Sequence, residues 1–356
     1  MELKGLRRAI DSIDSKILNL LNERAKVTLK IGKIKSKSNQ SIYVPNRESE
    51  VYARLANNNK GPLSNAALQA IYREVMSSAL NLEKPLTIAY LGPVYTFTHL
   101  ASMKKFGSSV DYSSCNTITS VFDEVDKGRA DYGVVPIENS VEGAVNHTLD
   151  MFIDSDLKIC SEIYLEISHS LLSKESDRKK IKKIYSKDQV FGQCRLWLEE
   201  HLPNVTLVDV SSTARAAEIA SKEKNAACIA SELAAGKYGL KVLNRSIEDN
   251  AHNVTRFLVI GRTEARQTKK DKTSIMFSLK DRVGALHDIL MPFKHNGINL
   301  TKIESRPSKV NAWKYYFFVD MEGHHADKKV AKALSILKKS TTYLKILGSY
   351  PAADVI

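Results

Sequence analysis

The hydrophobic pattern of the first 35 residues predicts one long helix. Apolar residues recur at alternating steps of three and four, at positions 3, 6, 10, 13, 17, 20, 27, 31 and 34. This spacing is typical of a heptad seam, in which one stripe of a helix packs against another helix. Arg24 stands where the next apolar residue of the seam is expected. A guanidinium on a buried seam needs an anionic partner, or else it sets the register of a coiled coil or snorkels at its rim.

The positions of three cations along this helix limit which of them can share a ligand. Arg7 and Lys35 are four heptads apart and lie on the same face, and Arg24 lies about 50° from that face. With a rise of 1.5 Å per residue, Arg7 and Lys35 are separated by about 42 Å. A small anion can therefore contact Arg24 and Lys35 together, but not Arg7 of the same chain. If all three bind one ligand, Arg7 must come from a second, antiparallel helix, most simply that of a dimer partner.

Two further helices complete an all-α domain that we place at residues 1–84. The second helix is predicted to begin at Asn46, a residue type that caps helices, with Arg47 and Glu48 in its first turn. The third spans about residues 64–82 and has one apolar stripe, which Glu83 follows. Three such helices cannot cover a thin seam by themselves, which again indicates a partner helix.

From residue 85 onward the pattern changes to alternating strands and helices. A buried strand at 87–91 runs into a Gly-Pro turn, and Thr96 then stands at the start of a helix, where hydroxyl and amide groups can hold an anion. A strand at 132–136 carries Glu138 and Asn139 to its carboxyl end, which is where open α/β sheets bind their ligands.

A second α/β block begins near residue 164 and extends to about residue 243. One of its strands ends at Ser186, and Gln193 follows in the next helix. After this block a polar stretch leads into a strand that begins with Thr255 and Arg256. Without further context, such a stretch is typical of a loop before a β-branched strand start.

Residues 272–356 follow a basic linker and have the order strand, helix, strand, strand, helix, strand. This βαββαβ order predicts a ferredoxin-like unit. Gly284 precedes its first helix and lets the backbone approach a ligand closely. The N-terminus of the helix beside it favours a carboxylate.

Composition argues against several classes of function but does not decide among those that remain. The chain has 356 residues, of which 43% are apolar, and this is enough for two or three domains. The net charge of +13 comes largely from dispersed lysines, and no basic stripe with interleaved aromatic residues indicates nucleic acid. The four cysteines lack metal-ligand spacing, the charged N-terminus does not resemble a signal peptide, and no run of 18 apolar residues occurs. We expect a cytoplasmic protein that binds no metal, nucleic acid or membrane.

The charged residues of the all-α domain resemble those of the all-helical chorismate mutase family, whose members form intertwined dimers. The residues that carry this resemblance are Arg7, Arg24, Lys35, Arg47 and Glu48. It implies a pericyclic rearrangement of the dicarboxylate chorismate to prephenate, which needs carboxylate clamps and donors aimed at the ether oxygen. By this resemblance, Arg24 and the partner's Arg7 hold the carboxylates and Lys35 donates to the ether oxygen. Glu48 accepts from the substrate hydroxyl, and Arg47 supports the site.

Glu83 departs from this resemblance, because some family members have a glutamine there. A carboxylate beside the ether oxygen can donate only when it carries a proton, so we expect a catalytic Glu83 to act in its protonated form. The alternative is a surface glutamate at the end of a helix. Val44 and Ala79 also differ from some family members, but neither difference removes a charge clamp.

The α/β segment resembles prephenate dehydratase over about residues 85–262. The resemblance rests on residues 91–93, 136–139, 185–186 with Gln193, and above all on the Asn-Val-Thr-Arg-Phe run at 253–257. It implies two α/β lobes with the site in the cleft between them, like type II periplasmic binding proteins. We place this domain at 85–264, with the second lobe at about 164–243. Val94 and Tyr95 depart from the usual family sequence, which leaves the side chains of the first loop open.

This second resemblance implies conversion of prephenate to phenylpyruvate, with loss of carbon dioxide and the ring hydroxyl. Thr255 is then the catalytic residue nearest that hydroxyl, and Arg256 is a partner for a substrate anion. A threonine hydroxyl is a weak acid, so we expect a relay that includes Glu138, although the origin of the proton stays open. The residues expected to bind substrate around them are Thr96, Asn139, Ser186 and Gln193.

The ferredoxin-like unit resembles the phenylalanine-binding ACT domain of these enzymes. Two short runs carry the resemblance, Gly284-Ala285-Leu286 and Glu304-Ser305-Arg306-Pro307. It implies that phenylalanine binds at these residues and inhibits the enzyme. A dimerisation module without an effector is the alternative.

Together the three resemblances predict a multidomain fold: an all-α domain that forms an intertwined dimer, a two-lobed α/β domain and an ACT domain. This order is that of the bifunctional chorismate mutase–prephenate dehydratase family. The implied function is conversion of chorismate to prephenate and then to phenylpyruvate, inhibited by phenylalanine, in a homodimer or larger homo-oligomer and without a cofactor. Two alternatives stay open: an arogenate or prephenate dehydratase with a degenerate mutase domain, and a non-catalytic amino-acid-binding regulator.

Overall fold

The structure of the chain is a computed structural model that describes residues 3–37, 43–250, 252–308 and 315–353. Its N-terminal domain consists of α1 (Leu3–Lys37), α2 (Pro45–Asn58) and α3 (Asn65–Glu83). The long helix predicted from the heptad pattern is therefore confirmed. Its apolar seam is not covered within the chain, since the nine seam residues are between 43% and 68% exposed.

The predicted start of the second helix was wrong in its capping residue. Val44, with an extended backbone, occupies the cap position, and Pro45 opens the helix. Proline suits a first helical position because its φ is already helical and the first amide has no partner inside the helix. Asn46 lies one residue further on, in the first turn, and does not cap the helix.

Residues 87–261 alternate strands and helices as predicted. In chain order the elements are β1 (Thr87–Leu91), α4 (Phe97–Phe106), β2 (Asp111–Cys115), α5 (Ile118–Asp126), β3 (Tyr132–Asn139), β4 (Gly143–Ala144), α6 (Asn146–Asp154), β5 (Lys158–Glu166), β6 (Ser170–Ser173), β7 (Lys183–Ser186), α7 (Asp188–Gln193), α8 (Arg195–His201), β8 (Thr206–Asp209), α9 (Thr213–Ala220), β9 (Ala226–Ala230), α10 (Glu232–Tyr238), β10 (Lys241–Asn244) and β11 (Val254–Gly261).

These strands form two sheets, which confirms the two-lobed α/β architecture. The first sheet has the order β2-β1-β3-β11-β5, with β4 beside β3, and the second has the order β10-β6-β9-β7-β8. The chain crosses between the lobes twice, after β5 and before β11, so β11 returns to the first sheet and lies between β3 and β5. Tyr164, near which we expected the second lobe to begin, lies in β5 of the first sheet. The second lobe therefore begins after Glu166.

The C-terminal domain has the predicted βαββαβ order. Its elements are β12 (Asp271–Ser278), α11 (Ala285–His295), β13 (Leu300–Pro307), β14 (Tyr315–Glu322), α12 (Lys328–Ser340) and β15 (Tyr343–Pro351). They form one sheet of order β13-β14-β12-β15. One face of the sheet packs against its two helices through a cluster that includes Ile275, Phe277 and Leu337.

The other face of this sheet packs directly on the first α/β lobe. Met276 and Phe318 belong to the same buried cluster as Phe152 of α6. Gly348 allows β15 to approach β5, because a Cβ there would lie 2.2 Å from the carbonyl oxygen of Ile159. The C-terminal domain is thus attached to the sheet that contains β11. Within the described ranges, no helix is both long and apolar enough to cross a lipid bilayer.

Candidate active sites

The three N-terminal helices border a cavity of about 800 Å³, which we call the helical cavity. Seven cations and four carboxylates line it, and this excess of positive charge suits a small dianion. The charged lining residues are Arg24, Lys35, Arg47, Arg54, Arg73, Lys105 and Arg266, with Glu48, Glu50, Glu83 and Glu264. The cavity thus brings together five residues that we predicted for this site from sequence.

Lys35 and Glu83 form the central ion pair of the helical cavity. The Lys35 Nζ atom lies 2.9 Å from Oε2 of Glu83, and both side chains are largely buried. Gly32 allows this contact, since a Cβ at residue 32 would lie 3.1 Å from the Cα atom of Glu83. A larger residue there would push α3 away from α1. Glu83 is therefore a lining residue of the cavity and not a surface glutamate.

Glu48 is held on the opposite wall by residues from outside α2. The hydroxyl of Tyr43 donates to Oε2 of Glu48 at 3.0 Å. Nζ of Lys105, from α4, lies 2.9 Å from the same oxygen. Burial, together with the charge of Glu48, raises the pKa of the Tyr43 phenol well above its ordinary value. Tyr43 consequently stays protonated and remains a donor.

The three remaining arginines of the prediction are placed differently from one another. Arg24 lines the cavity and donates from Nη1 to the carbonyl of Val75 at 3.4 Å. Arg47 lines it too, but pairs with Glu50 at 3.0 Å in an exposed contact that contributes little energy. Arg7 is exposed near the start of α1 and does not line the cavity.

A second polar site lies between the two α/β lobes, and we call it the interlobe cleft. At its base, Nδ2 of Asn139 donates to the Thr255 hydroxyl at 2.8 Å and to Oδ1 of Asn253 at 2.7 Å. Oδ1 of Asn139 accepts from the backbone amides of residues 141 and 142. Because the Thr255 oxygen already accepts a hydrogen bond, its proton is free to point away from Asn139, towards a ligand. Asn139 therefore positions Thr255.

Gln193 connects the two lobes across the cleft. Its Nε2 donates to Oε1 of Glu142 at 2.8 Å, and its Oε1 accepts from Asn253 at 3.2 Å. Nε2 of His169 lies 2.7 Å from the same Gln193 oxygen and must therefore carry the proton. Burial lowers the pKa of His169, so its imidazole is neutral at pH 7. Its Nδ1 is then an acceptor, and no described group donates to it.

His169 and Asn253 are cleft residues that sequence reasoning missed as site residues. Asn253 belongs to the motif that identified the segment, but a lone asparagine before a strand is typical of a turn. His169 follows β5 with no sequence signal, because its partner Gln193 is 24 residues away and in another element. Only the fold brings the two together.

Glu138 and Arg256 were wrongly predicted to act in the cleft. Successive side chains of a strand point to opposite faces, so Asn139 and Thr255 face the cleft while their neighbours face the other way. Glu138 instead pairs with Lys302 of β13, at 2.9 Å. The expected relay from Thr255 through Glu138 therefore has no path in this arrangement.

Arg256 is part of a buried charge network that attaches the C-terminal domain. Its guanidinium donates to Glu162 of β5, to Asp320 of β14 and to the hydroxyl of Tyr350. Lys272 of β12 lies 2.9 Å from Glu162 and completes the network. Burial alone would raise the pKa of Asp320, but the charge of Arg256 and the hydrogen bonds from Ser274 and Arg256 together hold that pKa below its ordinary value.

Asp320→Asn is expected to destabilise the protein by about 3 kcal/mol at pH 7, because it leaves Arg256 and Lys272 with one buried carboxylate between them. The folded-state pKa of Asp320 is lowered, so its contribution is present above about pH 4 and is lost as the pH falls further. Urea unfolding at pH 7 and at lower pH measures both effects. The exposed Asp126→Asn change is the control. Equal stability of the two variants at pH 7 would contradict the role of the network.

Thr96 and Ser186 also lie differently from their predicted substrate-binding positions. Thr96 caps α4, as expected for a helix start, but its hydroxyl donates to the backbone carbonyl of Pro93 at 3.0 Å. Ser186 is fully buried in the second sheet, and its hydroxyl donates to the carbonyl of Ile229 at 2.8 Å. Both hydroxyls are therefore bound to the protein's own backbone.

The two runs predicted to bind an effector lie at the same end of the C-terminal sheet. Gly284, with a left-handed backbone at φ 78°, opens α11, and Ala285 and Leu286 form its first turn. Ser278, at the end of β12, lies across β14 from Arg306 of β13, which places the two runs together.

The side chains of the second run, however, point to both faces of the sheet. Ser305 pairs in register with Phe317, on the face that carries the helices. Glu304 and Arg306 face the first α/β lobe, where Arg306 forms an ion pair with Asp150 of α6 at 3.1 Å. The guanidinium of Arg306 is thus paired with a carboxylate, and direct binding of the effector by Arg306 stays a prediction.

Comparison with known proteins covers the whole chain. The family model for chorismate mutase type II matches residues 6–84, that for prephenate dehydratase residues 88–265, and that for the ACT domain residues 273–338. A bifunctional chorismate mutase/prephenate dehydratase of Aquifex aeolicus is 52% identical over 99% of this chain and 98% of its own length. One from Stutzerimonas stutzeri is 47% identical over the same shares. The solved prephenate dehydratase of Arthrobacter aurescens, in complex with L-Phe, is 37% identical with a TM-score of 0.71, covering 76% of this chain and 91% of that one.

Proposed function

Because this chain belongs to the family of bifunctional chorismate mutase/prephenate dehydratases, we propose that it catalyses two successive steps of phenylalanine biosynthesis. The helical domain converts chorismate to prephenate, and the α/β domain converts prephenate to phenylpyruvate. The observation that carries the proposal is the presence of two separate polar sites in one chain, each with the groups that one of these reactions needs. The first is the cationic helical cavity, and the second is the interlobe cleft with Thr255 at its base.

In the helical cavity, catalysis rests on electrostatic stabilisation of the rearranging dianion. Arg24 binds a carboxylate of chorismate, and Lys35 donates to the ether oxygen, where negative charge develops as the bond breaks. Lys35 leaves its ion pair with Glu83 to do so. Glu48 accepts from the substrate hydroxyl and fixes the orientation of the ring.

A second copy of the chain completes the cavity. The exposed seam of α1 is supported as a helix-pairing surface by its length, its heptad spacing and the exposure of all nine apolar residues. An antiparallel α1 from the partner covers this seam and brings its own Arg7 to the cavity, where it binds the other carboxylate of chorismate. The working unit is therefore a homodimer or a larger assembly that contains this dimer.

In the interlobe cleft, the chain assists loss of the ring hydroxyl from prephenate. The Thr255 hydroxyl is fixed by Asn139 with its proton free, so it can donate a hydrogen bond to the departing oxygen. That oxygen leaves as hydroxide, which takes up a proton from solvent, while the carboxylate leaves as carbon dioxide and its electron pair enters the ring. Aromatisation of the ring supplies the driving force. Gln193 joins the two lobes over the substrate and excludes water from it.

The C-terminal domain regulates this second reaction. Phenylalanine binds near Gly284, where the first turn of α11 offers backbone amides to its carboxylate, and inhibits the dehydratase. The attachment of this domain to β11 through Arg256 gives the effector a physical route to Thr255. The four cysteines are all unpaired and buried, which supports a reducing, cytoplasmic location.

The test is an assay of the full chain with chorismate. We expect loss of chorismate and later formation of phenylpyruvate, with the second product suppressed by phenylalanine. Arogenate in place of prephenate is the control for substrate preference, and we expect slower turnover. If chorismate is not consumed, the helical domain is not a mutase. If prephenate accumulates without phenylpyruvate, the α/β domain is not a prephenate dehydratase.

A further inference from the structure

Three charged residues of the helical cavity, Lys105, Glu264 and Arg266, come from outside the helical domain and have no part in the mechanism described so far. Lys105 lies in the last turn of α4, which belongs to the first α/β lobe. Its Nζ is 2.9 Å from Oε2 of Glu48, and the two side chains are only 20% and 12% exposed. The proposed acceptor for the substrate hydroxyl is thus paired with a cation from another domain.

The two carboxylate oxygens of Glu48 are placed differently. Tyr43 and Lys105 both contact Oε2. Because both contacts are made to Oε2, the other oxygen, Oε1, remains as an acceptor for the substrate. Tyr43 is itself fixed, since its ring packs 5.0 Å from Phe106 and 5.2 Å from Tyr132, both residues of the α/β domain.

We propose that Lys105 is a positioning residue for the mutase reaction, which holds the Glu48 carboxylate in the orientation that accepts the substrate hydroxyl. This inference rests on the function proposed above and adds a residue of the dehydratase domain to the mutase site. A carboxylate that is largely buried needs a counter-charge to stay in place. Tyr43 alone supplies one hydrogen bond, which leaves the Glu48 carboxylate free to rotate about its Cγ–Cδ bond. Lys105 supplies the charge and the second contact that fix it.

The contact between Lys105 and Glu48 lies at the opposite end of α4 from the interlobe cleft, so it can be removed without disturbing the dehydratase site. Its first residue, Phe97, packs against His169 of the interlobe cleft at 5.6 Å between ring centroids. Lys105 lies at the other end, about 12 Å away at 1.5 Å of rise per residue. Replacing the Lys105 side chain removes the contact with Glu48 and leaves the packing of Phe97 in place. The two activities of one variant are therefore expected to respond differently.

The test is Lys105→Met in the full chain, with chorismate and prephenate as separate substrates. We expect kcat/KM for chorismate to fall about tenfold to a hundredfold, because Glu48 is no longer held in the reactive geometry. Kinetics with prephenate are expected to be unchanged, while loss of the counter-charge of a largely buried carboxylate is expected to lower the midpoint of thermal unfolding. Lys105→Arg should recover most of the mutase activity. Lys104→Met is the matched control, since this neighbouring lysine contacts a backbone carbonyl of β5 and does not line the cavity.

A double-mutant cycle with Glu48→Gln distinguishes positioning from direct binding of the substrate. If Lys105 acts through Glu48, adding Lys105→Met to Glu48→Gln costs less than about a further twofold. A full additional loss would mean that Lys105 contacts the substrate itself and would overturn the proposal. An equal fall in both activities would also overturn it, because the role of Lys105 would then be structural. If the unmodified chain does not turn over chorismate, the proposed function itself has failed.

Discussion

Thr255→Ala is expected to abolish formation of phenylpyruvate from prephenate while conversion of chorismate to prephenate continues at its normal rate. The hydroxyl of Thr255 is a donor that the structure fixes at the base of the interlobe cleft, held there by Asn139 at 2.8 Å. Removing a positioned donor of this kind lowers kcat by about two to three orders of magnitude. Separate initial-rate assays with chorismate and with prephenate measure the two activities.

Thr255→Ser is the matched variant, because it keeps the hydroxyl and removes only a methyl group. We expect it to retain much of the dehydratase activity, with the loss confined to poorer packing of the side chain. If the alanine variant is folded and loses both activities, the two sites are not separate. If the serine and alanine variants are equally inactive, the hydroxyl does not act as the donor.

Mixing a chain that carries Arg7→Ala with one that carries Lys35→Ala is expected to restore mutase activity that neither variant has alone. Each variant by itself should lose about two to three orders of magnitude in kcat, because every site lacks one cation. In a mixed dimer, one site receives its Lys35 from one chain and its Arg7 from the other. With random exchange of subunits, about a quarter of all sites are then intact. Co-expression and a chorismate assay give the recovered fraction.

The control replaces the Arg7→Ala chain by one that carries both substitutions. No site in that mixture has Lys35, so activity should stay at the level of the single variants. Recovery in this control would mean that the assay reports something other than shared sites. Absence of recovery in the main mixture, with mixed dimers demonstrated, would mean that α1 does not contribute to two sites.

The sequence by itself determined the elements and their order. The heptad spacing of α1 and the βαββαβ order of the C-terminal domain were predicted correctly because such patterns repeat over many residues and each repeat follows from local geometry. The same spacing, with the rise of a helix, also separated Arg7 from Lys35. Arg24, Lys35, Glu48 and Glu83 were assigned to one site because they resemble the charged residues of the all-helical chorismate mutases, and all four line the helical cavity.

Only the tertiary structure decided which side chains of the central strands face the cleft. Thr255 and Arg256 are adjacent on β11, and both faces of this strand are buried, so alternation of polar and apolar residues gives no information about which face meets the ligand. The C-terminal domain covers the face of Arg256 and Glu138, which turned two predicted cleft residues into parts of a domain interface. Likewise, Lys105 and Glu48 are far apart in the chain and belong to different domains. Their contact depends on how these domains pack, and no local pattern records that.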